Sequence, residues 1–214
     1  MEADRADSEK RLAAEAAAAL VEGGMRVGLG TGSTVAHLLP ALAGRSLELR
    51  CVATSPATAS AAKELGLEVE DFDALERLDI AIDGADQIAP DRWVVKGGGG
   101  AHAREKIVAA AAERFVVIAD SSKPVDRIAA PIPLELSPFG LAATLRELGK
   151  AELRDAPRSP DGGVIADYRG EVGDPAELAV RLDAVPGVVA HGLFPAELVD
   201  EVLVGRGGEV QRIK

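Results

Sequence analysis

The sequence predicts an α/β fold: a Rossmann-like, mostly parallel sheet with helices on both faces, plus a smaller ferredoxin-like α+β domain. Three observations predict it. Helical and strand patterns alternate through the first half of the chain. The apolar strands of that half run into turns rich in glycine, serine, threonine or aspartate. From about residue 128 the order becomes β-α-β-β-α-β. Alternation builds right-handed βαβ units and a parallel sheet covered on both faces. The later order is that of a ferredoxin-like module. The expected division is an α/β domain of residues 1–127 and 200–214 and a smaller α+β domain of residues 128–199.

The elements follow in order. Residues 8–22 are rich in Ala, Leu and Glu and stop at Gly23-Gly24, the pattern of a helix closed by glycine. Met25–Gly30 is a short apolar strand, and a helical pattern runs from Ser33 to Ala43. Leu47–Thr54 reads as a strand. Ser55-Pro56 is a cap followed by proline at the first helical position, and that helix ends at Gly66. Strands are expected at Leu67–Phe72, Leu78–Ile82, Trp93–Lys96 and Phe115–Ala119, with a helix over 102–113. In the second part, strands are expected at Pro131–Leu136, 151–155, 164–168 and Val188–Leu193. Ser137-Pro138 and Asp174-Pro175 open the two helices between them. Val202–Val204 and Val210–Ile213 form a closing pair that rejoins the main sheet.

Composition excludes several classes of function. The chain has 24 basic and 35 acidic residues among 214, a formal net charge of −11. A phosphate backbone needs a basic face, so nucleic acid is not an expected partner. Aromatic residues make up 3% of the chain, too few for a base-stacking platform. Cys51 is the only cysteine, which excludes an intrachain disulfide and any multi-cysteine metal site. His37, His102 and His191 are far apart in sequence, and no metal is expected. No apolar run approaches the length of a membrane span, and the N-terminus lacks the layout of a signal peptide, so a cytoplasmic protein is expected.

Four turns carry candidate chemistry. Gly28-Leu29-Gly30-Thr31-Gly32-Ser33-Thr34 joins a strand to a helix, where glycines permit close approach and helix N–H groups suit a phosphate. It is neither a GxGxxG fingerprint, because position 33 is Ser33, nor a Walker A loop, because it has no lysine. Asp83-Gly84-Ala85-Asp86 places two carboxylates at a strand end, suited to sugar hydroxyls, a magnesium ion or shared protons. Lys96-Gly97-Gly98-Gly99-Gly100 sets a cation beside four glycines, and Glu105 follows in the first turn of the next helix. His102 shares a helix face with Glu105 and is a competing base. Asp120-Ser121-Ser122-Lys123 adds a second cation. Singly, Asp83–Asp86 reads as a solvated turn and Lys123 as a surface residue. All four turns are expected after parallel strands, on one rim of the sheet.

Together these segments resemble the ribose-5-phosphate isomerase A family: GTGST at 30–34, DGAD at 83–86, KGGGG at 96–100 followed by REK at 104–106, DSSK at 120–123, and PGVVAHGLF at 186–194. The resemblance implies interconversion of ribose 5-phosphate and ribulose 5-phosphate, a step of the non-oxidative pentose phosphate pathway, with no cofactor and a homodimer or dimer of dimers. It matches Glu105 to the catalytic base. Residues Thr31, Gly32, Ser33, Thr34, Asp83, Gly84, Ala85, Asp86, Lys96, Gly97, Gly98, Gly99 and Lys123 match substrate-contacting segments, and Lys10 matches a lysine associated with phosphate contacts. Ala101-His102-Ala103 departs from an Ala-Leu-Thr pattern before Arg-Glu. The implied chemistry has Glu105 move a proton between C2 and C1 of the open sugar. Lys96 and the N–H groups after it would stabilise the enediolate, and Asp83 or Asp86 would shuttle hydroxyl protons. Two other readings are a non-catalytic sugar-phosphate sensor on the same scaffold and a related sugar-phosphate deaminase or lactonase centred on a histidine.

Overall fold

Short apolar strands alternating with Ala- and Leu-rich helices bury both faces of a sheet when the strands run parallel and the helices pack on either side. The computed structural model describes residues 2–74 and 77–214. In chain order the elements of the first half are α1 (Glu2–Ala18), β1 (Arg26–Leu29), α2 (Ser33–Ala43), β2 (Arg50–Ala53), α3 (Pro56–Glu64), β3 (Glu68–Val69), β4 (Ile80–Gly84), β5 (Gln87–Ile88), β6 (Val94–Val95), α4 (His102–Ala110) and β7 (Phe115–Asp120). The second half adds β8 (Ile132–Leu136), α5 (Leu141–Leu148), β9 (Ala151–Leu153), β10 (Val164–Tyr168), α6 (Pro175–Asp183), β11 (Val188–His191), β12 (Leu193–Phe194), β13 (Glu201–Arg206) and β14 (Glu209–Ile213).

The chain forms two units. The first comprises Met1–Ala85, Arg104–Lys123 and Glu197–Lys214. Its sheet runs β14-β13-β7-β4-β1-β2-β3, and every neighbouring pair is parallel except β13 with β14. From β1 the chain steps outward to β2 and β3, then returns to the other side of β1 as β4 and continues outward to β7 and β13. The strand order therefore reverses between β1 and β4, and open sheets of this kind bind ligands beyond the carboxyl ends at such a reversal. Val27, Leu29, Ile80, Ile82, Val116 and Ile118 of the strands are buried with Leu38 and Leu42 of α2 and the small face Ala13, Ala14 and Ala17 of α1.

Helix α1 ends earlier than Gly23-Gly24 predicts. The Arg45 guanidinium, just beyond α2, donates to the carbonyls of Ala18 and Val21, and this long-range cap ends the helix where a local glycine was expected to. Glu9 fastens the same helix to the carboxyl ends of β7 and β13. Its carboxylate accepts from Ser121 N–H at 3.0 Å and Ser121 Oγ at 2.6 Å, from Gly207 N–H at 3.2 Å and from Arg5 Nε at 2.9 Å. The Ser121 hydroxyl and then Arg5 hold its pKa down at about 2. A carboxylate with a depressed folded pKa contributes stability above its unfolded value and loses it as pH falls through the folded value. Unfolding measured across pH 5 to 2 is therefore expected to show progressive loss of this contribution. Glu9→Gln should be about 1–3 kcal/mol less stable at neutral pH, with less acid dependence in that window.

The second unit comprises Asp86–Ala103 and Pro124–Ala196. Its four-stranded sheet runs β11-β8-β10-β9, antiparallel throughout. Numbered within the module that order is 4-1-3-2, which a β-α-β-β-α-β chain adopts when each helix crosses over an intervening strand. Ile132, Leu134, Leu136, Ala166, Leu178 and Leu182 are buried together. Asp174 caps α6, accepting from the N–H groups of Ala176 and Glu177. Ser137 does not cap α5. Gly140 holds the cap position, and Ser137 Oγ accepts from the Phe139 N–H in a local turn.

Two expectations change here. The two units divide the chain differently from the expected domains: residues 197–199 group with the first unit and residues 86–103 and 124–127 with the second. The cause of the latter is a small sheet, β12-β6-β5, paired antiparallel, together with the bridge from Ile88 to Pro124. For the same reason Lys96–Gly100 does not follow a parallel strand. It follows β6, which is antiparallel to both neighbours. No helix among the described residues is long and apolar enough to cross a membrane.

Candidate active site

In the first unit, β1 and β4 deliver their turns side by side. Val27 pairs with Ile80 and Leu29 with Ile82, so Gly30 comes level with Asp83. The glycines of the first turn serve three different needs. A Cβ on Gly28 would lie 2.5 Å from a methyl of Val108, so Gly28 admits α4 to the sheet. A Cβ on Gly30 would fall 1.9 Å from the Asp83 carboxyl group, so Gly30 makes room for that side chain. Gly32 has φ +126 and open space around it, a backbone conformation that disfavours any side chain. Packing thus accounts for Gly28 and Gly30, and Gly32 is the glycine that shapes the turn.

Asp83 is 3% exposed. Its Oδ1 accepts from the N–H groups of Thr31 at 3.1 Å and Gly84 at 2.7 Å, tying the two turns together. Thr31 is held from the other side as well, its hydroxyl 2.8 Å from that of Thr54. Gly32 stands at the cap position of α2, and no side chain caps this helix start. Lys10 of α1 reaches the same place and donates from Nζ to Ser33 Oγ at 3.0 Å. Lys123, half-buried, follows the carboxyl end of β7, next to β4 in the sheet. The carboxyl ends of three adjacent strands therefore carry Thr31–Thr34, Asp83–Ala85 and Lys123.

Helix α4 brings Glu105 to the same end. Leu78, just before β4, bonds to Ala111 and Glu113 beyond the helix, so the C-terminus of α4 lies at the amino ends of the strands. Val108 packs at Gly28. Glu105 is three residues nearer the helix start, about 4.5 Å along its axis, and so is displaced toward the carboxyl ends. It is 3% exposed and falls in the first turn.

The remaining predicted residues belong to the second unit. Asp86 accepts from the Gly98 N–H on Oδ2 at 2.8 Å. Lys96 is 2% exposed, its Nζ 5.6 Å from the Phe194 ring centre. Gly97 has φ +110, and a Cβ there would meet His102 Nδ1 and Pro133 at 2.7 Å. His102 is wholly buried, its Nε2 3.4 Å from the Ala190 carbonyl oxygen. It packs against Gly97 of the glycine loop as part of the interior. The chain passes between the units at Ala85–Asp86 and again at Ala103–Arg104, both inside the predicted motifs.

Two further groups had no sequence signal. Thr54 supports Thr31 from the end of the neighbouring strand. Arg154, paired with Asp167, donates to the carbonyls of Gly97 and Gly98. Thr54 comes beside Thr31 because β2 pairs with β1, and Arg154 reaches Gly97 and Gly98 through its side chain from just beyond β9, in a different sheet. Burial pushes the Cys51 thiol up to about 12, which leaves it unsuited to nucleophilic work. Among the described residues, no group of three or more His, Cys, Asp or Glu is arranged to hold a metal ion.

The family model for Ribose 5-phosphate isomerase A (phosphoriboisomerase A) matches residues 50–209. The Ribose-5-phosphate isomerase A of Caulobacter sp. (strain K31) is 46% identical, the match covering 94% of this chain and 95% of that protein. The ribose 5 phosphate isomerase A of Neisseria gonorrhoeae superposes with a TM-score of 0.92 at 32% identity, covering 97% of this chain and 96% of that one. A D-ribose-5-phosphate isomerase solved in complex with phospho-erythronic acid gives a TM-score of 0.91 at 32% identity, covering 98% and 99%.

Proposed function

The chain belongs to the ribose 5-phosphate isomerase A family, aldose–ketose isomerases that interconvert ribose 5-phosphate and ribulose 5-phosphate, and we propose that Glu105 is the base that moves the proton in that reaction. The observation that supports this role most directly is a buried carboxylate in the first turn of α4, displaced toward the strand ends that carry the Thr31 and Asp83 turns. Asp83 or Asp86 assists opening of the furanose ring by exchanging protons with sugar hydroxyls. Glu105 then removes the proton from C2 of the open aldose. The C2–H electron pair forms the C1–C2 double bond, and negative charge develops on the C1 oxygen. Lys96 and the backbone N–H groups that follow it stabilise that oxygen. A proton passes from the C2 hydroxyl to the C1 oxygen, Glu105 returns its proton to C1, and C2 becomes the ketone carbon. One base serves both transfers, contributing about 10²–10⁴-fold.

Thr31, Gly32, Ser33, Thr34 and Lys123 hold the substrate, with Lys10 beside Ser33 adding positive charge for the phosphate. Gly84, Ala85, Gly97, Gly98 and Gly99 line the substrate through their backbone. A phosphorylated acid of four carbons, the ligand of the solved relative, resembles the substrate's phosphate end and one enediolate oxygen. His102, packed against Gly97, serves the interior and not proton transfer.

The reading includes a reaction that needs no metal, a cytoplasmic setting and a homodimer. Ribose 5-phosphate supplied to chelator-treated protein is expected to yield ribulose 5-phosphate at the untreated rate. Absence of product from both treated and untreated protein would overturn the activity, and loss on chelation alone would overturn metal independence. Light scattering during gel filtration is expected to give twice the 22.1 kDa chain mass. A mass of one chain would overturn the dimer.

A further inference from the structure

The glycine loop of the second unit is held from behind. Arg154 follows β9 and pairs across to β10, its N–H bonding to the Ile165 carbonyl at 3.0 Å. Its guanidinium meets the Asp167 carboxylate in two contacts, one of them Nε to Oδ2 at 3.2 Å. The Nη1 of the same guanidinium donates to Gly97 O at 2.9 Å and Gly98 O at 3.1 Å. Asp167 thus fixes the fork, and the fork's remaining edge fixes two consecutive peptide carbonyls.

Planar trans peptides turn this into an orientation of donors. In each unit the N–H points opposite to the C=O. With the carbonyls of residues 97 and 98 drawn to one guanidinium, the N–H groups of Gly98 and Gly99 are aimed away from it. The first of these already donates to Asp86 at 2.8 Å, on the far side of the loop from Arg154. Glycine is required for the arrangement. Gly97 has φ +110, and a Cβ on Gly98 would lie 2.8 Å from Asp86 Oδ1.

We propose that Arg154, anchored by Asp167, is a positioning residue for the isomerisation: it sets the peptide planes of the Lys96–Gly99 loop so that the Gly98 and Gly99 N–H groups face the substrate side. The proposal rests on the reading that this loop contacts the sugar. Lysine is a poor substitute for arginine at 154. A single ammonium cannot span a carboxylate and two carbonyls in one plane as the fork does.

Arg154→Ala and Arg154→Lys, assayed for ribose 5-phosphate isomerisation well below their melting midpoints, test it. A misdirected donor pair acts mainly on the transition state. Arg154→Ala is therefore expected to lower kcat about 10- to 100-fold with KM within about threefold of wild type. Arg154→Lys is expected to recover only part of that loss. Wild-type kcat in Arg154→Ala would overturn the proposal, as would a raised KM with unchanged kcat. Should Arg154→Ala not fold, Asp167→Asn, which leaves the arginine but weakens its anchor, carries the same test: lowered kcat with unchanged KM supports the role, and wild-type kcat overturns it. Wild-type protein without isomerase activity would instead overturn the family-based reading, a result distinguishable from any of these.

Discussion

Replacing Glu105 with glutamine is expected to lower kcat about 10²- to 10⁴-fold while KM stays close to wild type. Glutamine matches glutamate in size and keeps polar atoms at the same positions, so the packing at the start of α4 should survive. What it lacks is an oxygen able to take a proton from carbon. The loss should fall on the chemical step, because the proposed holders of the substrate are the Thr31–Thr34 turn and its lysines and not this side chain. A second measurement separates base from bystander. In deuterated water the wild-type protein should exchange label into the sugar at the carbon that receives the returned proton, and Glu105→Gln should lose exchange and turnover together. Near wild-type turnover in the variant would remove Glu105 as the base. The prediction draws its force from burial: a carboxylate that is 3% exposed in a first helical turn is not the solvated acid that commonly complements a helix dipole.

Gly30→Ala is expected to cost more activity than a methyl group ordinarily does. Gly30 is fixed in the sheet by its N–H bond to Ile82 O at 3.0 Å, so its new Cβ cannot move aside. That atom would fall 1.9 Å from the Asp83 carboxyl carbon, well inside contact distance. The aspartate must swing out, and the N–H groups of Thr31 and Gly84 then lose their shared acceptor. Overpacking of this kind costs about 1–3 kcal/mol of stability. Misplacing Asp83 and the Thr31 turn together should lower kcat/KM about 10²-fold. The double variant Gly30→Ala/Asp83→Gly, which removes both the carboxylate and the Asp83 Cβ that would lie 2.5 Å from the new methyl, isolates the cause. Removing the obstructing carboxylate should restore much of the melting midpoint and none of the activity. A single variant with wild-type kinetics would show that Asp83 has no need of the position it holds.

Much of the architecture was legible because it is written in local patterns. Apolar strands ending in glycine and helices opened by Ser55-Pro56 or Asp174-Pro175 declare themselves within a few residues, since caps and turns are local chemistry. Strands β5 and β6 were the hard case. Each is two residues long and acquires its identity only by pairing with its neighbours in the small sheet, β6 with Leu193-Phe194 from the far end of the chain. That pairing moved Lys96–Gly100 off the parallel sheet and residues 86–103 into the second unit. Glycines were similarly ambiguous. Gly28, Gly30 and Gly32 look alike in sequence, yet one admits a helix, one admits a carboxylate and one permits a left-handed turn.

The order of residues alone determined the α/β class with its smaller antiparallel domain and singled out the four candidate turns and Glu105 for test, because the hydrophobic effect and turn chemistry leave periodicities and fixed spacings that can be read along a chain. The fold in three dimensions established which turn faces which, why Asp83 lies over Gly30, and that Arg154 and Asp167 hold the glycine loop. These relations depend on strand pairing between segments tens of residues apart, and such pairing leaves no spacing in the sequence from which it could be read.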